Sequence, residues 1–275
     1  MNFCKNIAFI VLLIFYSTVN FSQRQNVRSK SEIGAYFGGM YYIGDLNSSK
    51  HFANTNATLG AIYRYFINPR LIYRVQFGYG NLKASDSQFS NAFQKNRNLS
   101  FQTDVFEFAT GIEMNYMKYQ TGHKDFFFTP YVYFELGLFR INPKTDYNGE
   151  LVELQSLGTE GQGTELSNKK AYKKVQLCLP IGLGFKVSIN KRTSFSIEYG
   201  LRKTFTDYID DVSSNTYLDR TKLGEINGPI VSDLSNRSLD GNEYGKRGNP
   251  TTKDWYFVLN AMLTFKLGNP DKCFH

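Results

Sequence analysis

From residue 175 to residue 189 every second position is apolar: Val175, Leu177, Leu179, Ile181, Leu183, Phe185, Val187 and Ile189 alternate with Gln176, Cys178, Pro180, Gly182, Gly184, Lys186 and Ser188. A period of two over so long a run predicts a β-strand with one apolar face and has no helical explanation. Pro180 donates no ladder hydrogen bond, so an edge or a bulge is expected there. The last segment of this kind sets Trp255, Phe257, Leu259, Ala261, Leu263, Phe265 and Leu267 against Tyr256, Asn260, Thr264 and Lys266. The first sets Ile33, Ala35, Phe37, Gly39, Tyr41 and Ile43 against Glu32, Gly34, Tyr36, Gly38 and Tyr42. Pairing of the first with the last would leave no free edge.

Between them lie segments 57–67, 71–82, 99–119, 127–141 and 193–205. Leu99, Phe101 and Val105 have the opposite parity from Phe106, Phe108, Ile112 and Met114, which predicts a bulge or a strand that continues past the apolar zone. In the fifth segment Val132, Phe134, Leu136 and Leu138 define one face, yet Tyr131, Tyr133 and Phe139 are apolar on the other. Connections 68–69, 120–125 and 190–192 are short; 44–56, 83–98, 142–174 and 206–253 are long. This alternation predicts an all-β fold: an eight-stranded antiparallel up-and-down transmembrane β-barrel over 31–267, with short periplasmic turns, long extracellular loops and both termini periplasmic. A soluble β-sandwich would have shorter strands and no such sidedness.

Composition agrees. The 275 residues include 19 Tyr and 24 Phe, and 20% are charged, which with a negative mean hydropathy excludes a helical membrane protein. Residues 1–22 read as a secretory signal peptide: Lys5, an apolar run from Ile7 to Tyr16, then Asn20-Phe21-Ser22 before Gln23. Cys4 precedes the apolar run, so a lipoprotein is not expected. Segments 23–30 and 268–275 are read as a periplasmic N-terminal stretch and C-terminal tail. The formal charge of +8 is dispersed and includes only Lys5 from the leader. An exported chain meets no nucleic acid, so outer-membrane lipid headgroups or an acidic partner are the expected counterparts.

Eight strands leave an interior that side chains can fill. Parity directs Glu32, Glu107, Glu113, Glu135 and Glu198 inward against Arg64, Arg74, Lys186, Arg202 and Lys266. This balance predicts a hydrogen-bonded charge network that plugs the lumen, with a selective pore or proton path as the alternative. Aromatics near segment ends, Tyr41 and Tyr42, Tyr63 and Tyr65, Phe126 to Phe128, Trp255 and Tyr256, read as interfacial girdles.

Candidate chemistry is sparse. The stretch 157–163 is glycine-rich but lacks the Lys-Ser/Thr ending of a phosphate loop. Asp207, Asp210 and Asp211 match no calcium loop, and a solvated loop mouth, or an ion pair with Arg202 and Lys203, is expected for them. His51 shares the loop side with these aspartates and supplies only a fragment of a rim hydrolase. Neither Cys178 nor Cys273 has metal-type neighbours, so no metal, cofactor, small-molecule substrate or enzymatic activity is expected. Cys178 reads as an inward packing thiol. Cys273, in the tail, is a candidate for a disulfide to a periplasmic partner, and the basic Arg24, Arg28 and Lys30 are candidates for an acidic partner surface.

Several blocks carry a specific resemblance along nearly the whole mature chain: Tyr42-Ile43-Gly44-Asp45-Leu46-Asn47, Arg97-Asn98-Leu99-Ser100-Phe101, Thr129-Pro130-Tyr131, Asn142-Pro143-Lys144, the run 154–163 and the run 202–213. The chain resembles the PorG family, outer-membrane barrels of the type IX secretion system of Bacteroidetes-type bacteria. The resemblance implies a non-enzymatic component that associates with the periplasmic ring of PorK and PorN proteins and links it to the outer membrane. A passive barrel serving as small pore, adhesin or envelope stabiliser is the alternative.

Overall fold

In a computed structural model, residues 30–89, 91–241 and 246–268 are described. Eight long strands form a closed wall: β1 (Ser31–Ile43), β2 (Asn56–Phe66), β3 (Leu71–Ser85), β4 (Ser100–Asn115), β5 (Phe128–Arg140), β8 (Val175–Ser188), β9 (Thr193–Thr204) and β10 (Trp255–Lys266). Each pairs antiparallel with its neighbour in sequence around the wall, and β1 closes on β10 from Glu32 opposite Lys266 to Ile43 opposite Trp255. The expected eight-stranded up-and-down barrel is the fold. No helix among the described residues is long and apolar enough to cross a membrane, which has no bearing on crossing by strands.

The period-two pattern sets the wall's two faces. In β5 burial alternates without a break, with Val132, Phe134, Leu136 and Leu138 exposed and Tyr131, Tyr133, Glu135 and Phe139 buried. The residues whose phase was open in sequence therefore face the lumen. Leu59, Phe77, Phe106, Leu183, Phe185, Ile197 and Phe265 continue the apolar exterior around the barrel, and Phe37 is 64% exposed. So continuous an apolar surface is stable only against a non-aqueous surround.

Several expectations change. No bulge interrupts β4: its register with β3 runs unbroken from Leu71 opposite Met114 to Ser85 opposite Ser100. Phe101 and Val105 point into the lumen because the strand continues beyond the charged zone into an apolar upper interior. Pro180 lies on an interior strand, and the β5–β8 ladder is interrupted opposite it, between the pairs Phe134–Ile181 and Gly137–Cys178. The connection expected over 120–125 occupies 116–127, as extensive as the first loop, 44–55. Its residues leave the ladder because Tyr119 and Thr121 turn inward to close the barrel's floor; Tyr119 Oη bonds Ser194 Oγ at 2.7 Å. Loop 141–174 holds a hairpin the sequence did not reveal, β6 (Lys144–Tyr147) and β7 (Glu150–Glu153), turning at Asn148 and Gly149 with positive φ. Tyr42 and Tyr256 are lumenal rather than interfacial, whereas Tyr63, Tyr65 and Phe126 to Phe128 do lie exposed near strand ends.

Candidate functional site

The lower lumen, nearer the turns, is filled by four cations and four carboxylates from six strands. Arg64 from β2 bonds Glu113 Oε2 at 2.9 Å and Glu198 Oε1 at 2.9 Å. Arg74 from β3 grips both oxygens of Glu198, at 2.9 and 3.0 Å, and meets Glu113 at 3.2 Å. Its Nε also lies 3.1 Å from Glu135 Oε1, an ion pair not aligned as a hydrogen bond. Lys186 contacts the other Glu113 oxygen, and Arg202 meets Glu107 at 3.3 Å. Every one of these side chains is buried. A lone charge here would cost several kcal/mol, and the near-matched set removes most of that penalty.

Polar side chains that sequence reading did not single out complete the plug. Gln76 donates to Glu135 at 2.7 Å, Tyr131 to Glu198 at 2.6 Å and Tyr256 to Glu107 at 2.5 Å. The Arg74 guanidinium lies 4.2 Å from the Tyr133 ring centre. Room for these tyrosines comes from the adjacent strand β8, where their cross-strand partners are glycines: a Cβ at Gly182 would fall 2.6 Å from the Tyr133 ring and one at Gly184 2.5 Å from Tyr131. Gly182 and Gly184, inward by parity, were the available signal for inward rings facing them.

Glu32 and Lys266, expected in the same network, sit apart from it. They are cross-strand partners at the turn end, but the Glu32 carboxylate accepts from Thr264 Oγ1 at 3.0 Å and from Thr121. Lys266 is half-buried at the lumen's mouth, and among the described residues no ion pair joins either to the central cluster. Lys30 is half-buried beside them. Arg24, Arg28, Cys273 and the leader lie outside the described residues.

The upper interior has a different chemistry. Met40, Leu82, Phe101, Val105 and Val258 from the wall pack with Leu46, Leu154, Ile209, Val212 and Leu234 from three loops as one apolar core. The loops are folded inward and closed over it. Two sequence blocks meet here: Thr159 bonds Asp211 Oδ2 at 2.5 Å, and Glu160 Oε1 accepts from the backbone of Ser213 at 2.9 Å and Ser214 at 2.8 Å. Gly158, with φ +65, makes the sharp turn that presents them. Arg247 bonds the two residues of the first block that hold the second, 3.3 Å from Glu160 and 3.2 Å from Thr159. Arg97 clasps Asp86 with two bonds of 2.7 Å and ties it to the carbonyl of Arg247 at 2.6 Å.

The aspartates named in sequence are latches of this cap. Asp210 and Asp254 flank the Tyr42 hydroxyl at 2.6 and 2.8 Å, and Asp254 also accepts from the Ile209 amide at 2.9 Å. Burial, then the Asp254 charge, holds Asp210 well above the usual carboxylate range. Burial pushes Asp211 up to about 6 despite the hydroxyls of Thr159 and Tyr172 on it. Asp207 is also pushed up to about 6 by burial. Its nearest cation is Lys253 at 4.0 Å, not Arg202 or Lys203. Arg202 turns down into the lumen, and Lys203 lies outside over the Trp255 ring at 4.4 Å.

His51 is remote from these carboxylates. It bonds the Tyr41 hydroxyl at 2.9 Å and stands edge-on to Phe257 on the outer wall, where the first loop folds down as a strap and covers Tyr41. Among the described residues no group of three His, Cys, Asp or Glu side chains is arranged to hold a metal ion. Cys178 is buried in the lumen beside Tyr256, Sγ to Oη 3.8 Å.

A family model described as a domain of unknown function, DUF6089, matches residues 5–230. No curated protein matches the chain. Among solved structures it is similar to Neisserial surface protein A, at 11% identity with a TM-score of 0.43, covering 87% of this chain and 98% of that one. It is similar to the attachment invasion locus protein Ail of Yersinia pestis, at 8% identity and a TM-score of 0.43, covering 88% and 100%. A third is the outer membrane protein OprG from Pseudomonas aeruginosa, at 11% identity and 0.43, covering 87% and 96%.

Proposed function

The chain belongs to the DUF6089 family, and we propose that it is a non-enzymatic barrel of the outer membrane of a Gram-negative bacterium, working as a component of the type IX protein secretion system. In this reading the turn end faces the periplasm, where it associates with ring proteins of the PorK and PorN type. The loop end faces outward, and the apolar wall sits in outer-membrane lipid.

The observation that carries the reading is the joining of the two longest blocks of the PorG-family resemblance into one packed unit. Residues 154–163 and 202–213 are far apart in sequence and lock together through Thr159 to Asp211 and Glu160 to Ser213. A barrel kept only as a passive pore has no use for a lumen filled with charge pairs below and an apolar core above. That filling supports a role in binding and anchoring.

The deciding experiment is a deletion strain. Secretion of proteins bearing the system's C-terminal signal is expected to stop and to return with the full chain supplied in trans. Normal secretion in the deletion strain refutes the role and leaves a passive barrel, whether pore, adhesin or envelope stabiliser.

A further inference from the structure

The two ends of the barrel differ in how their charges are arranged. At the loop end cations and carboxylates are interspersed: Arg220 lies 2.7 Å from Asp233, Lys174 3.0 Å from Glu153 and Lys222 3.9 Å from Asp219, while exposed Lys50, Lys83, Lys95, Lys170 and Lys173 share the end with exposed Asp104, Asp146, Glu150 and Glu225. At the turn end the described residues include Lys30, Arg70, Lys118, Lys124, Arg192 and Lys266, all exposed or half-buried. Among the described residues two carboxylates share that end. Glu32 is buried and held by threonines, and exposed Asp125 lies 4.0 Å from the His123 ring.

These cations stand on a rigid plate, because backbone bonds knit the turns and strand ends together. Phe66 N donates to Lys30 O at 2.7 Å, Asn115 N to Arg70 O at 2.8 Å, Lys266 N to Arg192 O at 2.8 Å, and Tyr119 N to Pro69 O at 3.1 Å. The plate has a pit walled by Phe66, Pro69 and Tyr119 and lined by Lys30, Lys266 and the threonine-held Glu32. A fixed, predominantly basic surface attracts and orients an opposite charge without ordering long loops first.

We infer that this basic floor is a docking surface for an acidic segment of a protein partner, with a carboxylate side chain set between Lys30 and Lys266 and the outlying cations meeting its neighbours. The inference rests on the proposed periplasmic orientation of the turn end and adds to it the chemistry of the contact. Anionic phospholipid is the competing occupant. Lipid headgroups surround a barrel at its perimeter, whereas Lys30 and Lys266 line a pit with the buried Glu32, Tyr119 and Thr121 at the lumen's mouth, within reach of an axial protein segment.

The test uses the full chain in phosphatidylcholine nanodiscs, with a polyglutamate peptide as probe, beside the variant Arg70→Glu/Lys118→Glu/Lys124→Glu. Heat-modifiable migration in SDS gels establishes that the variant is folded. Should reversal impair folding, the corresponding Gln substitutions replace it. Peptide affinity is expected to fall about tenfold or more in the variant and to weaken with added salt. Equal affinity for wild type and variant overturns the inference. So does loss of peptide binding when the discs carry phosphatidylglycerol, which assigns the floor to lipid. In cells, a folded variant that fails to support secretion upholds the inference, and one that secretes normally where the deletion does not overturns it while the secretion role stands. If the deletion itself secretes normally, the role fails and the peptide measurement alone judges the floor.

Discussion

The lower half of the lumen is filled mainly by strand residues, with Tyr119 and Thr121 of the 116–127 connection as its floor, and its contacts are ionic: Arg64, Arg74, Lys186 and Arg202 against Glu107, Glu113, Glu135 and Glu198. The upper half is filled jointly by strands and loops, and its centre is apolar, with Phe101 edge-on to Tyr42 at 4.9 Å and polar latches around it. The two fillings fail differently. Removing one ion leaves its partners buried without compensation, and the wall cannot relax because its own ladder holds the strands. Removing an apolar side chain from the cap leaves a cavity beside loops that can shift. The lower half is therefore predicted to be coupled to the whole barrel and the upper half to the loops.

The largest separation is expected from Arg74→Ala. It removes the ion pair of Glu135 and one of the two arginines on Glu198, and is expected to destabilise the barrel by about 3–5 kcal/mol, read as a lower urea midpoint for loss of heat-modifiable migration. A midpoint unchanged from wild type would mean that the lower charges are independently solvated and the distinction drawn above is void.

Phe101→Ala is expected to cost about 3 kcal/mol, close to the lower end for a buried phenylalanine because the cap can collapse. Its effect should be confined to the cap, with faster protease cleavage and hydrogen exchange in 141–174 and 205–254 and an unchanged wall. Equal loss of protection in the strands would merge the two halves into one cooperative unit.

Acidification sharpens the comparison further. The Asp211 carboxyl titrates at about 6 in the folded cap, above its value in an unlatched chain, so protonation favours the closed form. Stability from this group is complete below the unlatched pKa near 4 and is lost as the pH rises through about 6. Lowering the pH from about 7 to about 5 should tighten the cap by about 1 kcal/mol, seen as slower loop exchange. Asp211→Asn should remove this group's share of the response and leave that of Asp207, which burial also raises to about 6; an undiminished response would show that Asp211 does not contribute.

The smallest effect belongs to the strap. His51→Ala removes one bond to Tyr41 and is expected to cost about 0.5–1.5 kcal/mol locally, with increased exchange in 44–55 and no change in either filling. A barrel-wide effect would make the strap part of the wall.

Legibility in the sequence followed the same division. Period two placed Arg64, Glu113, Lys186 and Glu198 inside because a strand leaves each residue only two directions. It could not tell that Lys186 would choose Glu113 or that Arg202 would choose Glu107, since partner choice depends on the shear of strands around the ring. Glu32 and Lys266 have the right parity but the wrong height, and height along the axis is not written in alternation. Tyr131 and Tyr133 were ambiguous because a tyrosine suits a membrane interface and a polar lumen equally. In the cap, Asp207, Asp210 and Asp211 were visible as an acidic cluster, while Glu160, Arg97 and Arg247 carried no periodic signal that they would gather around the same loops.

What the sequence by itself determined is the wall: the number of long strands, their faces, the pairing of first with last and the common side of the long loops. Each follows from local rules, alternation and connection length, acting within a few residues. The tertiary structure decided what fills the wall. Ion partners, the inward fold of loops 141–174 and 205–254, and the closing of the floor by Tyr119 and Thr121 all join residues distant in sequence. Their selection depends on desolvation and shape complementarity, which exist only once the ring is closed.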